Sequence, residues 1–177
     1  MTKRHVALVG FMASGKSTIG RKLARRLGCA FFDTDDEVAR AHGTVATIFA
    51  TEGEAAFRRY EHAAINGILE NAASGVVALG GGALTVAANR RLLAERAYRV
   101  FIRISPEQVL ARVRKSREQR PLLGVSPTLA RVKDLYERRM EHYSSADYIV
   151  EADHCSGREV IDEIVGWMRR QNIQLDG

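Results

Sequence analysis

The sequence predicts an α/β protein, a three-layer sandwich with a five-stranded parallel sheet between layers of helices. Three observations lead there. Short apolar runs alternate with longer stretches of helical periodicity along the whole chain. The first apolar run ends in a loop holding Gly10 and Gly15, followed by Lys16, Ser17 and Thr18, and this loop leads directly into a helical pattern. Finally, 177 residues with 46% hydrophobic and 27% charged content suit one domain, 1–177, with a sizeable core.

Taken in order, the first strand is expected over 5–9 and its helix over 16–27, stopped by Gly28. A short strand over 30–32 runs into Asp33, Thr34, Asp35 and Asp36. A helix beginning near Asp35 ends at Gly43, and acids in its first turn suit the helix dipole. Helical spacing returns over 45–50 and 52–71, carrying Ile48, Phe49, Phe57, Tyr60, Ile65, Ile68 and Leu69. A third strand over 76–79 enters Gly80, Gly81 and Gly82; a helix over 86–96 and a fourth strand over 98–104 follow. Pro106 opens a helix that becomes basic toward Arg120, and 129–143 is helical again. A fifth strand over 148–150 and a helix over 158–170 close the chain, with no repeat, linker or low-complexity tract.

Gly10, four residues, then Gly15-Lys16-Ser17 is the phosphate-binding P-loop pattern, and the strand–loop–helix setting is what that pattern requires. Successive N–H groups curl around an anion at the positive end of the new helix. Glycine supplies the backbone freedom this needs. Lys16 is expected to reach the outer phosphates and Ser17 to ligate Mg²⁺.

Ligands in such sheets bind at the C-terminal ends of the strands. Asp33 and Asp35 stand there two apart, so in extended chain both side chains leave one face, toward a metal and a substrate hydroxyl. Capping of the next helix needs only one acid, expected from Asp35 or Asp36. The third strand ends in glycine where many P-loop proteins carry a metal-binding aspartate, and no Asn-Lys-x-Asp sequence exists, so a switch GTPase is disfavoured. Bare backbone at 80–82 could approach a substrate closely. From Arg112 to Arg120, both included, there are five basic residues and one acid. Arg120 precedes Pro121, a break that suggests a flap whose cation neutralises a transferring phosphoryl and excludes water. Arg58 and Arg139 read as ordinary surface arginines that spacing does not single out.

Cys29 and Cys155 form no CxxC pair, so neither a disulfide framework nor a zinc site is expected, and a reducing cytoplasm is the default. The chain enters its first strand with no apolar signal region. The longest uncharged stretch, 71–89, is interrupted by Asn, Ser and the glycines and reads as strand plus loop, not as a membrane span. A net charge of +6 suits an anionic small ligand as well as it suits nucleic acid. With no apolar stripe left over, a monomer is expected.

The ordered set of motifs resembles the shikimate kinase family from end to end. The P-loop comes first, then Asp33 and Asp35, then the run from Ile48 and Phe49 through Gly53 and Glu54 to Phe57-Arg58. Gly80-Gly81-Gly82-Ala83 follows, then Arg120-Pro121-Leu122-Leu123, then Arg139 before Tyr143. The resemblance implies a nucleoside-monophosphate-kinase-like fold with a mobile lid at about 114–128 and a substrate-binding helical region at about 35–62. It implies transfer of the ATP γ-phosphoryl to the 3-hydroxyl of shikimate in aromatic amino-acid biosynthesis, with Mg²⁺. By the same resemblance Ala13, Ser14, Gly15, Lys16, Ser17, Thr18, Arg112 and Arg120 would bind ATP, and Ser17 with Asp33 would hold the metal. Lys16, Asp35 and Arg120 would be catalytic, Asp35 being the base. Arg58 and Arg139 would fork onto the shikimate carboxylate. Phe49 and Phe57 would form apolar walls, and the backbone of Gly80, Gly81 and Gly82 would lie against the substrate.

Three positions depart from the family pattern. Glu141 replaces a proline two residues after Arg139 and could compete for it or point to solvent, Ala13 replaces a glycine, and the loop around His154 and Cys155 lacks an arginine for the adenine. Rival readings are a gluconate-type kinase, a non-catalytic ligand sensor of similar fold, and a nucleic-acid-dependent ATPase suggested only by charge.

Overall fold

The computed structural model describes residues 3–71, 73–116, 122–124 and 126–175, Asn71 by its backbone alone. Five strands form one parallel sheet: β1 (His5–Val9), β2 (Ala30–Asp33), β3 (Gly75–Ala78), β4 (Ala97–Arg103) and β5 (Tyr148–Glu151), in the order β2-β3-β1-β4-β5. The central strand is buried along its whole length, as expected of a parallel strand covered on both faces. The chain leaves β1 toward one edge and later returns to pair β4 on the other side, so the loop after β1 opens at the switch between neighbours.

Helix α1 (Lys16–Leu27) buries Ile19, Leu23 and Ala24, carries Arg25 and Arg26 in its last turn, and ends at Gly28 with φ 69°. Gly20 lies so close to the sheet that a Cβ there would come within 2.6 Å of the Phe31 ring. Helices α2 (Thr34–His42), α3 (Val45–Thr51) and α4 (Gly53–Asn71) enclose a small second core of Val38, Ile48 and Phe57. The main core takes in the sheet with α5 (Ala87–Arg96), α6 (Pro106–Lys115), α7 (Leu129–Ser144) and α8 (Gly157–Arg170). Local signals start three of these helices: Ser105 before Pro106, Thr128, and the reciprocal Ser156–Glu159 capping box.

Most element limits agree with the sequence to within a residue or two, and the differences have causes. β3 and β4 each begin earlier than their apolar runs because both pair with His5, through Gly75 and Ala97. Gly75 fits there because it lacks a side chain: a Cβ would sit 2.7 Å from the Ala30 carbonyl. A 3-10 turn, Ala83–Thr85, follows the glycines and was not expected. No described helix is long and apolar enough to cross a membrane.

Candidate active site

The P-loop between β1 and α1 carries three left-handed residues, Gly10 (φ 147°), Ala13 (φ 60°) and Gly15 (φ 94°). At Gly10 the conformation and the space agree, since a Cβ would lie 2.7 Å from the Ile102 carbonyl. Ala13 holds its left-handed conformation without being glycine. Gly15 is the N-cap of α1 and offers no side-chain acceptor, and the first helical turn contains no acid. The leading N–H groups of α1 are therefore left to an anion. Lys16 is buried, and its ammonium donates to the carbonyls of Gly10 and Phe11, each at 2.9 Å, and to the Ser14 hydroxyl at 3.4 Å. Arg112 donates to the Ala13 carbonyl at 3.1 Å from the outside of the loop.

At the end of β2 two expectations are corrected. Asp33 itself caps α2, accepting from the Asp35 N–H at 3.1 Å, so neither Asp35 nor Asp36 is the cap. Because the helix starts at Thr34, Asp35 lies in its first turn and not in extended chain. The two acids still reach one place, since a cavity of about 270 Å³ is lined by Met12, Ala13, Gly15, Lys16, Ser17, Thr18, Asp33, Asp35, Leu79 and Gly81. Asp36 pairs loosely with Arg21 at the surface.

The triple glycine makes room for this chain's own side chains. A Cβ on Gly80 would stand 2.2 Å from Glu61 Oε1 and 2.8 Å from Asp35 Oδ1; one on Gly82 would stand 2.1 Å from Arg58 Nη2. The turn is tied down at each residue. Gly80 N–H donates to the Thr34 hydroxyl, and its carbonyl accepts from Ala83. The Gly81 carbonyl accepts from Arg139 and from the Tyr143 hydroxyl, and the Gly82 carbonyl accepts from Thr85.

Arg58 and Arg139 are not surface residues. Arg139 is 4% exposed, lies over the Phe11 ring and donates to Gly81 at 3.1 Å. Arg58 is largely covered and donates to Glu61 at 2.6 Å and to Glu54 at 3.1 Å. Burial works against the charge on Arg58, but the Glu61 and Glu54 carboxylates outweigh it and raise its pKa. Neither Phe49 nor Phe57 lines the cavity; the rings pack on each other at 5.2 Å in the small core beside it. Glu141 is 82% exposed and lies beside His142, so it does not compete for Arg139. Arg120 and Pro121 lie outside the described residues.

Two residues of this site have no role assigned from the sequence, Tyr143 standing there only as the end of the Arg139 motif. Glu61 is fully buried, one of its oxygens on Arg58 and the other without a hydrogen-bond partner among the described residues. Burial lifts its carboxyl to about 6, against the pull of Arg58, and the neighbouring Asp35 adds to the rise. Its only sequence signal is the i,i+3 spacing from Arg58. Tyr143 stacks on Phe101 at 5.0 Å, and its hydroxyl reaches Gly81.

An anion-shaped loop with a buried lysine, a hydroxyl and carboxylates sharing one cavity, and a parallel sheet with this strand order define a P-loop small-molecule kinase, a phosphotransferase with an alcohol acceptor. A family model described as shikimate kinase matches residues 12–169, and the chain belongs to the shikimate kinase family. The shikimate kinase of Thiobacillus denitrificans is 44% identical over 142 residues, covering 78% of this chain and 76% of that protein. That of Ruegeria pomeroyi is 38% identical over 97% of this chain and 88% of its own length. Among solved structures, the shikimate kinase from Acinetobacter baumannii in complex with shikimate superposes with a TM-score of 0.88 at 34% identity, covering 98% and 97% of the two chains. Deoxyadenosine kinase from M. mycoides, at 14% identity and a TM-score of 0.63, shares the fold alone.

ATP and Mg²⁺ are the cofactors of this family, and the donor set suits them. The leading N–H groups of α1 have no side-chain cap or acid against them, Lys16 sits within the loop, and Ser17 and Asp33 both line the cavity with the hard oxygen donors that a divalent cation takes.

Proposed function

We propose that this chain transfers the γ-phosphoryl of ATP to the 3-hydroxyl of shikimate, giving shikimate 3-phosphate and ADP on the route to chorismate and the aromatic amino acids. The observation that carries the proposal is one cavity shared by Lys16, Ser17, Asp33 and Asp35, with Arg139 and Arg58 against its glycine wall. Bound MgATP supplies the electrophilic phosphoryl and the metal's countercharge. The chain's own groups do the rest by position and charge. Ala13, Ser14, Gly15, Lys16, Ser17 and Thr18 hold the phosphates, and Arg112 braces the loop. Ser17 and Asp33 hold the metal. Asp35 orients the acceptor hydroxyl and receives its proton. Arg58 and Arg139 take the acceptor carboxylate, with Gly80, Gly81 and Gly82 as floor, and Phe49 and Phe57 support that side through the small core. Arg120 is assigned from the family pattern as the cation that closes over the phosphates, in a lid spanning about 114–128. We further propose that the protein acts as a monomer in the cytoplasm on small molecules only.

A coupled ADP-release assay with ATP and Mg²⁺ tests this with shikimate, quinate and gluconate offered in parallel. Turnover with shikimate alone is expected. Turnover with gluconate instead would replace the acceptor, and ATP binding without any turnover would favour a ligand sensor. Lys16→Ala and Asp35→Ala should each lower kcat by about a hundredfold or more while leaving the fold intact. Near-normal turnover in either variant would refute its assigned role.

A further inference from the structure

Three consecutive glycines form the floor of the acceptor side, and glycine has the largest conformational freedom of any residue. Such a floor holds a shape only if its peptide groups are tied. Gly80 and Gly82 are tied by near neighbours in the turn and by Thr34. Gly81 is tied from a distance, by two residues of α7, Arg139 and Tyr143. The two ties differ in kind. Arg139 is assigned above to the incoming carboxylate, so its hold on Gly81 competes with its work. Tyr143 has no such second task. Its ring is 2% exposed and lies on Phe101, which leaves the hydroxyl little freedom to point elsewhere. The hydroxyl donates to the same Gly81 carbonyl that Arg139 donates to, so the two side chains meet at one acceptor.

We infer that Tyr143 is a positioning residue for acceptor binding, its hydroxyl holding the Gly81 carbonyl in place when a carboxylate draws the Arg139 guanidinium away from it. The inference rests on the proposed shikimate kinase function. Burial pushes the Tyr143 hydroxyl up to about 12, more than the nearby Arg139 pulls it down, so it stays a donor at every pH at which the enzyme would be assayed.

The test is Tyr143→Phe, which keeps the ring and removes one oxygen. The shikimate KM should rise about fivefold to tenfold, the size of one hydrogen bond, with the ATP KM and kcat changed by less than about twofold. The rise should be the same from pH 6 to 9. Val132→Ala is the control: Val132 is a fully buried residue of the same helix and does not line the cavity, so its loss loosens α7 with the hydroxyl intact. If Val132→Ala raises the shikimate KM as much as Tyr143→Phe, general loosening explains both and the positioning role is refuted. An unchanged shikimate KM in Tyr143→Phe, or an equal rise for ATP, refutes it too. If the unaltered chain does not turn over shikimate, the functional proposal and this one fall together; if it does, failure belongs to Tyr143 alone.

Discussion

Glu61 is a carboxylate with no exposure, held between Arg58 on one side and Asp35 and Gly80 on the other. Its raised pKa, about 6 against 4.5, makes the folded state bind a proton more readily than the unfolded chain does. Linkage then fixes the sign. Between about pH 4.5 and 6 the folded state holds more protons, so the Glu61 contribution to stability falls as pH rises through this window and is level above it. A shift of this size corresponds to about 2 kcal/mol. His5 acts in the opposite direction: burial, with some help from Arg4, lowers its pKa below 6.5, so it favours the fold as pH rises. The useful quantity is therefore a difference. Urea unfolding of the wild type and of Glu61→Gln across pH 4.5 to 7 should show the gap shifting in favour of the glutamine variant by about 2 kcal/mol as pH rises. A gap that does not vary with pH would mean that Glu61 binds its proton equally in the folded and unfolded chains, its pKa not raised by burial.

At the scale of elements, the β2–α2 junction joins structure and chemistry in one side chain. Asp33 ends the strand, caps the helix through the Asp35 N–H, and faces the cavity with a charge. The two roles separate by substitution, because asparagine caps as well as aspartate and carries no charge. Asp33→Asn should unfold within about 0.5 kcal/mol of wild type and lose most of its Mg²⁺-dependent turnover; Asp33→Ala should lose the turnover and about 1 kcal/mol besides. Thermal melts and the ADP assay read the two separately, and full activity in Asp33→Asn would remove Asp33 from the metal site. This junction also shows what a sequence can carry. The P-loop, its strand and its helix were legible because every residue involved is local and the pattern is stringent. Asp33 and Asp35 were found for a partly wrong reason, since extended spacing was assumed where a helix begins. Arg58 and Arg139 were invisible to spacing, because their burial depends on α4 and α7 meeting the glycine turn across long sequence separations. The resemblance identified them where periodicity could not. Glu61 has neither signal, and Tyr143 enters only as the end of the Arg139 motif with no role attached: each matters through a partner, Arg58 or Gly81, that only the fold brings near.

For the whole molecule, the charge balance and the site meet in a ligand-linked stability. A net charge of +6 with a cavity lined by Lys16 and bordered by Arg58 and Arg139 favours anions, and both proposed substrates are anionic at neutral pH. A ligand that binds only the folded chain stabilises it by RT ln(1 + [L]/Kd), about 2.7 kcal/mol at a hundredfold excess over Kd. For a chain of this length each kcal/mol moves the melting temperature by about 2–4 °C, so saturating MgATP or shikimate should each raise Tm by roughly 5–10 °C. The two increments should respond differently to substitution. Lys16→Ala should abolish the increment from MgATP and spare that from shikimate, because Lys16 sits within the phosphate loop and Arg58 and Arg139 lie against the glycine wall. Raising the salt should shrink both increments, since exposed parts of either ligand are screened beyond about 8 Å at physiological ionic strength. Loss of both increments in Lys16→Ala would mean that Lys16 also shapes the acceptor side, the two halves being joined through the shared Asp33–Asp35 wall.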